Sequence, residues 1–124
     1  MRTSPQTIAD VSQLSQDALA RLRHLLAVDS AAQAARFAEH QAMVSQLRGA
    51  TDGDSILERE IAEAGAARAR EAIEDIEHAL QRLDAGTYGS CEACGSQIPF
   101  ERLEAVPAAR FCVACPGRRP GWPR

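Results

Sequence analysis

The chain contains no lysine. All fourteen of its basic residues are arginine, and seventeen acidic residues leave a formal net charge of −3. Four thiolates and one bound dication would take that charge to −5. An acidic chain lacks the basic footprint that displaces counterions from a phosphate backbone, which argues against free DNA or RNA as its main partner. Aromatic residues are also scarce: Phe37, Tyr88, Phe100, Phe111 and Trp122 are the only five in 124 residues. Twenty-four alanines make up much of the apolar fraction. Alanine favours helices and buries little area, so a bulky globular core is excluded and a long helical hairpin is expected. No segment approaches the roughly 20 apolar residues of a membrane span, and the first thirty residues hold no apolar signal region.

Proline and glycine are missing from Gln6 to Arg48. Ahead of that stretch, Thr3, Ser4 and Pro5 read as cap and first-turn residues. Within it, Ile8, Val11, Leu14, Ala18, Leu22 and Leu25 recur in steps of three and four, a helical stripe. The stripe continues more weakly through Ala32, Ala35, Val44 and Leu47. Gly49-Ala50-Thr51-Asp52-Gly53-Asp54-Ser55 breaks it with two glycines and short polar side chains, the signature of a turn. Asp54 or Ser55 can cap a second helix, and Ser55 with Glu58 fits a capping box. That helix runs from about Ile56 to Asp84 on Ile61, Ala62, Ala66, Ala69, Ile73, Ile76, Leu80 and Leu83. Gly65 inside it costs about 1 kcal/mol relative to alanine and marks its softest point. Gly86 suits the residue that ends it. His24, His40 and His78 read as helix-surface residues.

The chemistry is carried by four cysteines. Cys91-Glu92-Ala93-Cys94 and Cys112-Val113-Ala114-Cys115 are separated by seventeen residues. This C-x2-C-x17-C-x2-C spacing reads as a tetrahedral zinc-thiolate site. With cysteine in all four positions, no coordination position is open, so one structural Zn2+ is expected rather than a catalytic one. Gly95 suits the tight turn after Cys94, whereas Pro116 after Cys115 has no N–H to offer a sulfur. Ile98, Phe100, Leu103 and Val106 supply a small core around the metal. Paired thiols that bind metal favour a reducing cytosol over a disulfide framework.

The non-cysteine residues around this site are as specific as the cysteines. Tyr88-Gly89-Ser90-Cys91-Glu92-Ala93-Cys94-Gly95, Ile98-Pro99, Arg102-Leu103-Glu104-Ala105-Val106-Pro107-Ala108-Ala109 and Cys112-Val113-Ala114-Cys115 together resemble the DksA/TraR C4-type zinc-finger family. The likeness covers about Asp84 to Cys115, and residues 1–83 match only in architecture. It implies a cytoplasmic bacterial transcription regulator that binds RNA polymerase directly, without sequence-specific DNA binding. In that family a coiled-coil hairpin enters the secondary channel and acidic tip residues approach the active site. Several members act with ppGpp in the stringent response, although no residue of this sequence identifies a ppGpp contact.

The expected protein is therefore mainly α, without enzymatic activity. A long antiparallel coiled-coil hairpin fills residues 1–86, with its turn about 49–55. A C4 zinc finger follows over 87–115, then a flexible basic tail over 116–124, in which Trp122 could anchor on a partner. Asp52 and Asp54 are the candidate tip effectors. From Asp52 to Asp84, ten acidic residues face four basic ones. An acidic helix face is ordinarily just solvated, and aspartates at a glycine-rich turn ordinarily form the turn and cap the helix. The family's D-x-x-D-x-A tip is also incomplete here. Counting from Asp52, the third position is Ser55 and the fifth is Leu57. Taking Asp54 as the second aspartate makes the first Thr51 and the alanine Ile56. Either register keeps one aspartate. Two other readings stand beside the regulator: a zinc-thiolate redox or stress sensor, and an adaptor that docks another protein through the zinc module.

Overall fold

A computed structural model describes residues 15–115, and three helices account for most of them: α1 (Gln16–Gln46), α2 (Gly53–Ala85) and α3 (Phe100–Ala105). There is no strand among the described residues; Ser90 and Gln97 form an isolated antiparallel bridge. The expected stripe positions Ile8, Val11 and Leu14, the Thr3-Ser4-Pro5 start, Pro116 and the tail with Trp122 lie outside the described residues. Contacts divide the chain into two compact units. Among the described residues, one is Val28–Glu74, and the other joins those up to Ala27 with those from Asp75 onward.

In the Val28–Glu74 unit, α1 and α2 pair antiparallel. The Leu47 carbonyl meets Arg59 Nη1, the His40 ring meets Gly65, and the Phe37 ring meets the Arg70 guanidinium. Numbers fall along α1 as they rise along α2. The turn between them uses Gly49 at φ 81°, and Asp52, not Asp54 or Ser55, caps α2. Its Oδ2 accepts the Ser55 backbone N–H at 2.9 Å, satisfying one of the donors that every helix start leaves open.

The α1 seam keeps Val44 and Leu47 of the expected stripe but not its alanines. Ala32 and Ala35 are exposed; the half-covered positions are Gln33, Phe37, His40, Val44 and Leu47, in 4-3-4-3 steps. On α2 the buried positions are Ala62, Gly65, Ala66 and Ala69, while Ile61 stands 59% exposed. One helix thus brings its larger side chains to the seam and the other its smallest. Gly65 is no soft point, because its missing Cβ is the space the His40 ring uses. A Cβ there would lie 2.5 Å from His40 Cε1. His40 is accordingly a half-buried seam residue rather than a fully exposed one.

The other unit has a single core. Leu22 and Leu26 of α1, Ile76 and Ala79 of α2, and Tyr88, Ile98 and Leu103 cluster with Cys91, Cys112 and Cys115. Leu22, Leu26 and Leu103 have no exposed surface. Burying a side chain of this size stabilises by about 1.5–3 kcal/mol. Leu80 and Leu83 pack against the cluster as expected. Val106, expected in the core, is 46% exposed; it lies just past the end of α3, where Ala108 and Ala109 pack against the core instead. Gly86 at φ 80° ends α2. Its N–H bonds to the Leu83 carbonyl and the Thr87 N–H to the Arg82 carbonyl, the paired closure that a left-handed residue after a helix permits. That closure delivers the chain to Tyr88 and the first cysteine.

Candidate metal centre

The first cysteine pair sits on a small reversal held by backbone bonds. Cys91 N–H donates to Ser96 O at 2.8 Å, Ile98 N–H to Gly89 O at 2.8 Å, and Gly95 N–H to Cys91 O at 2.9 Å. Gly95, at φ 79°, takes the left-handed conformation that this turn requires. The second pair repeats the device, with Cys115 N–H donating to Cys112 O at 3.0 Å. A further bond from Glu92 N–H to Arg110 O at 2.9 Å joins the two halves. All four cysteines are unpaired thiols. Three are buried, and Cys94 is exposed.

The four Sγ atoms lie within 4.8 Å of one another, and those of Cys94 and Cys112 are 3.6 Å apart. Zinc–sulfur bonds of about 2.3 Å give a tetrahedron with edges of about 3.8 Å. The donor set therefore fits one structural zinc, which Cys91, Cys94, Cys112 and Cys115 would hold. Backbone donors already favour thiolate at one corner. Burial pushes the Cys91 thiol up, but the N–H groups of Cys112, Cys94 and Ala93 together outweigh it and bring it to about 6. The Ser96 hydroxyl, 3.2 Å from Cys94 Sγ, and then the Ser96 N–H lower Cys94 as well. Cys115 is driven the other way, to about 12, by burial and then by the neighbouring sulfurs. A metal that binds all four must displace the protons they still carry.

A polar cluster ties this centre to α2. Glu92, between the first two cysteines, accepts at Oε2 from Arg82 Nη1 at 3.2 Å and pairs there with His78 Nε2. Its Oε1 accepts from Arg110 Nε at 3.1 Å and Nη2 at 3.0 Å. Arg110 Nη1 reaches Asp75 Oδ1 at 3.1 Å. The burial of Glu92 works against its charge, but Arg110 and then His78 hold its carboxyl below the usual range. His78 is thus a partner of Glu92, not an idle surface residue. Spacing could have hinted at this, since Asp75, His78 and Arg82 fall on one face of a helix; their partners could not have been guessed. Around the same core, Tyr88 Oη donates to Pro107 O at 2.8 Å, and Arg21 of α1 pairs with Glu104 of α3 at 2.7 Å.

The profile of the prokaryotic DksA/TraR C4-type zinc finger matches residues 86–120. The match covers the cysteine module and not the two long helices. General stress protein 16O of Bacillus subtilis is 57% identical over 44 residues, covering 36% of this chain and 27% of that protein. The RNA polymerase-binding transcription factor DksA of Escherichia coli is 42% identical over 48 residues, 39% of this chain and 32% of that one. The chain spans about a third or less of the length of the curated relatives it matches. The solved structure of transcription factor DksA2 from Pseudomonas aeruginosa superposes with a TM-score of 0.73 at 24% identity, over 86% of this chain and 85% of that one. At that identity the likeness speaks for the fold: a helical hairpin with a DksA/TraR finger.

The two candidate tip residues lie in the Val28–Glu74 unit. Asp52 is exposed and caps α2; the Ser55 N–H and then the Ser55 hydroxyl hold its carboxyl below the usual range. Asp54 is exposed in the first turn of α2. Among the described residues no helix is long and apolar enough to cross a membrane.

Proposed function

We propose that this protein is a zinc-stabilised transcription regulator that binds RNA polymerase directly through its α1–α2 hairpin. The observation that carries the reading is the finger's 42% identity to proteins named RNA polymerase-binding transcription factor DksA, joined to a hairpin of the DksA2 fold. The division of labour follows the sequence: residues 1–86 as the binding hairpin, 87–115 as the finger that fixes its base, and 116–124 as a basic tail. The finger's closed donor set and the lack of an open metal position suit a binding protein rather than a catalyst.

The hairpin unit has the surface such a role needs. Met43, Leu57 and Ile61 are exposed at 41%, 56% and 59%. A groove of about 310 Å³ is lined there by Glu39, His40, Met43, Glu58, Ile61 and Ala62. Exposed apolar side chains among carboxylates suit a partner surface that is apolar and basic. On this reading the hairpin enters the polymerase secondary channel, Asp52 and Asp54 act at its tip, and ppGpp acts as co-effector in the cytoplasmic stringent response.

The test is a pull-down of bacterial core RNA polymerase by the full chain, paired with open-complex lifetimes measured in vitro. Capture with a changed lifetime is expected. Absence of both would remove the reading. A second reading, thiol-based stress sensing, draws on the exposed Cys94 beside the Ser96 hydroxyl. It predicts zinc release under mild peroxide, and it fails if zinc stays bound and no thiol reacts.

A further inference from the structure

We propose that Arg110 is a positioning residue that couples zinc binding in the finger to the packing of α2, through a bridge from Glu92 to Asp75. Glu92 is fixed between two zinc ligands, Cys91 and Cys94. Arg110 stands two residues before a third ligand, Cys112. Its guanidinium holds Glu92 Oε1 through Nε and Nη2, at 3.1 and 3.0 Å, and turns its remaining nitrogen, Nη1, to Asp75 Oδ1 at 3.1 Å. The backbone repeats the link, since Glu92 N–H donates to Arg110 O at 2.9 Å. One side chain therefore spans both halves of the zinc site and one turn of α2.

The three side chains are only 25%, 23% and 19% exposed for Arg110, Glu92 and Asp75. In such a setting an ion pair is screened far less than on an open surface. The planar guanidinium also demands that both carboxylates be in place together. Arg82 and His78 anchor the other oxygen of Glu92 to the following turns of α2. The bridge can close only when the first cysteine turn, the approach to the second, and α2 share one arrangement. Zinc selects that arrangement by drawing the two cysteine turns together. By linkage, whatever the bridge adds to zinc affinity, zinc returns to α2 packing. This coupling is independent of which partner the hairpin binds.

The experiment uses the full chain. Zinc affinity is measured by competition with a chelator, and hydrogen exchange is followed for the α2 amides after Asp75, with zinc and after its removal. Arg110→Met is expected to weaken zinc binding ~10–100-fold, the range for partners that orient metal ligands. Asp75→Asn keeps its shape, and the side chain belongs to α2 rather than to the finger; it should weaken zinc binding in the same direction. The double variant should be no weaker than Arg110→Met alone. Arg23→Gln, which breaks an exposed pair with Asp84 in the same unit, should leave zinc affinity unchanged. In wild type, zinc removal should speed exchange in α2, and in Arg110→Met that response should shrink. Zinc affinities within twofold of wild type for Asp75→Asn, or fully additive losses in the double variant, overturn the proposal. Should Arg110→Met fail to fold, Asp75→Asn alone decides it.

Discussion

The His40 imidazole rests against the backbone of Gly65. A Cβ placed on Gly65 would meet three ring atoms, at 2.5, 2.6 and 2.8 Å. Glycine inside a helix costs about 1 kcal/mol relative to alanine, so Gly65→Ala in a free helix would stabilise. Here the ring must leave the seam first. In a His40→Ala background, Gly65→Ala should raise stability by up to about 1 kcal/mol. In the wild-type background that gain should vanish or reverse. Thermal unfolding of the four proteins of this cycle reads the coupling. Equal gains in both backgrounds would mean that the ring does not occupy the slot.

This contact also shows where the sequence could be read and where it could not. The cysteine turns, Gly86 and Gly95 were legible because each depends on a few adjacent residues. The α2 seam from Ile73 to Leu83 was legible because bulky aliphatics repeat at one spacing. The seam of α1 was legible only at its end: Val44 and Leu47 lay on the expected stripe, but Gln33, Phe37 and His40 were hidden. Polar Gln33 and His40 occupy it, while alanines surround the helix and blur any stripe. Ile61 misled for the converse reason, since a large apolar residue ordinarily marks the covered face and here alanine and glycine do. The polar cluster was out of reach. Glu92 and Arg110 are 18 residues apart, and Arg110 and Asp75 are 35 apart; only the folded chain brings them together.

Tyr88 gives an alkaline signature. It is 2% exposed, and burial raises its phenol to about 12, against about 10 in an unfolded chain. Between those values the unfolded chain has lost a proton that the folded one keeps. Stability should therefore hold below pH 10 and fall as pH rises toward 12, by on the order of 2 kcal/mol. Tyr88→Phe removes the phenol and its bond to Pro107 O. It should cost about 0.5–1.5 kcal/mol near neutral pH and flatten this alkaline limb. Denaturant unfolding of both proteins across pH 9–12, with zinc bound, checks it. A limb of the same slope in Tyr88→Phe would assign the loss to other groups.

Removing zinc should loosen one unit and spare the other. Cys91, Cys112 and Cys115 belong to the core that holds Leu22, Leu26, Ile76, Tyr88, Ile98 and Leu103. Structural zinc in small fingers contributes about 10–16 kcal/mol of apparent binding free energy, more than a core of this size can spare. A strong chelator should abolish the near-ultraviolet signal of Tyr88 while most far-ultraviolet helix signal remains. Cys91→Ser and Cys115→Ser should each drop bound zinc well below one equivalent per chain. A Tyr88 signal unchanged in the stripped protein would show that the core stands without metal.

Asp52 has two roles to separate, the cap of α2 and a charge at the hairpin turn. Its depressed carboxyl means that the folded state favours the ionised form, so this contribution is present above the ordinary carboxylate range and is lost as pH falls through the folded value. Asn caps a helix about as well as Asp. Asp52→Asn should therefore keep the helix content and polymerase capture of wild type, and should lose only the acid-side dependence tied to this charge. Asp52→Ala should lose the cap as well, with α2 fraying at its start. Asp54 is exposed in the first turn of α2 and is not its cap, so Asp54→Asn should also keep the fold. If the tip charge acts on transcription, both Asn variants should bind polymerase and fail to change open-complex lifetime. If Asp52 serves only as a cap, Asp52→Asn should regulate as wild type does while Asp52→Ala alone falls short. In-vitro transcription with the three variants, beside circular dichroism of each, distinguishes a charge that acts on the polymerase from one that only begins a helix.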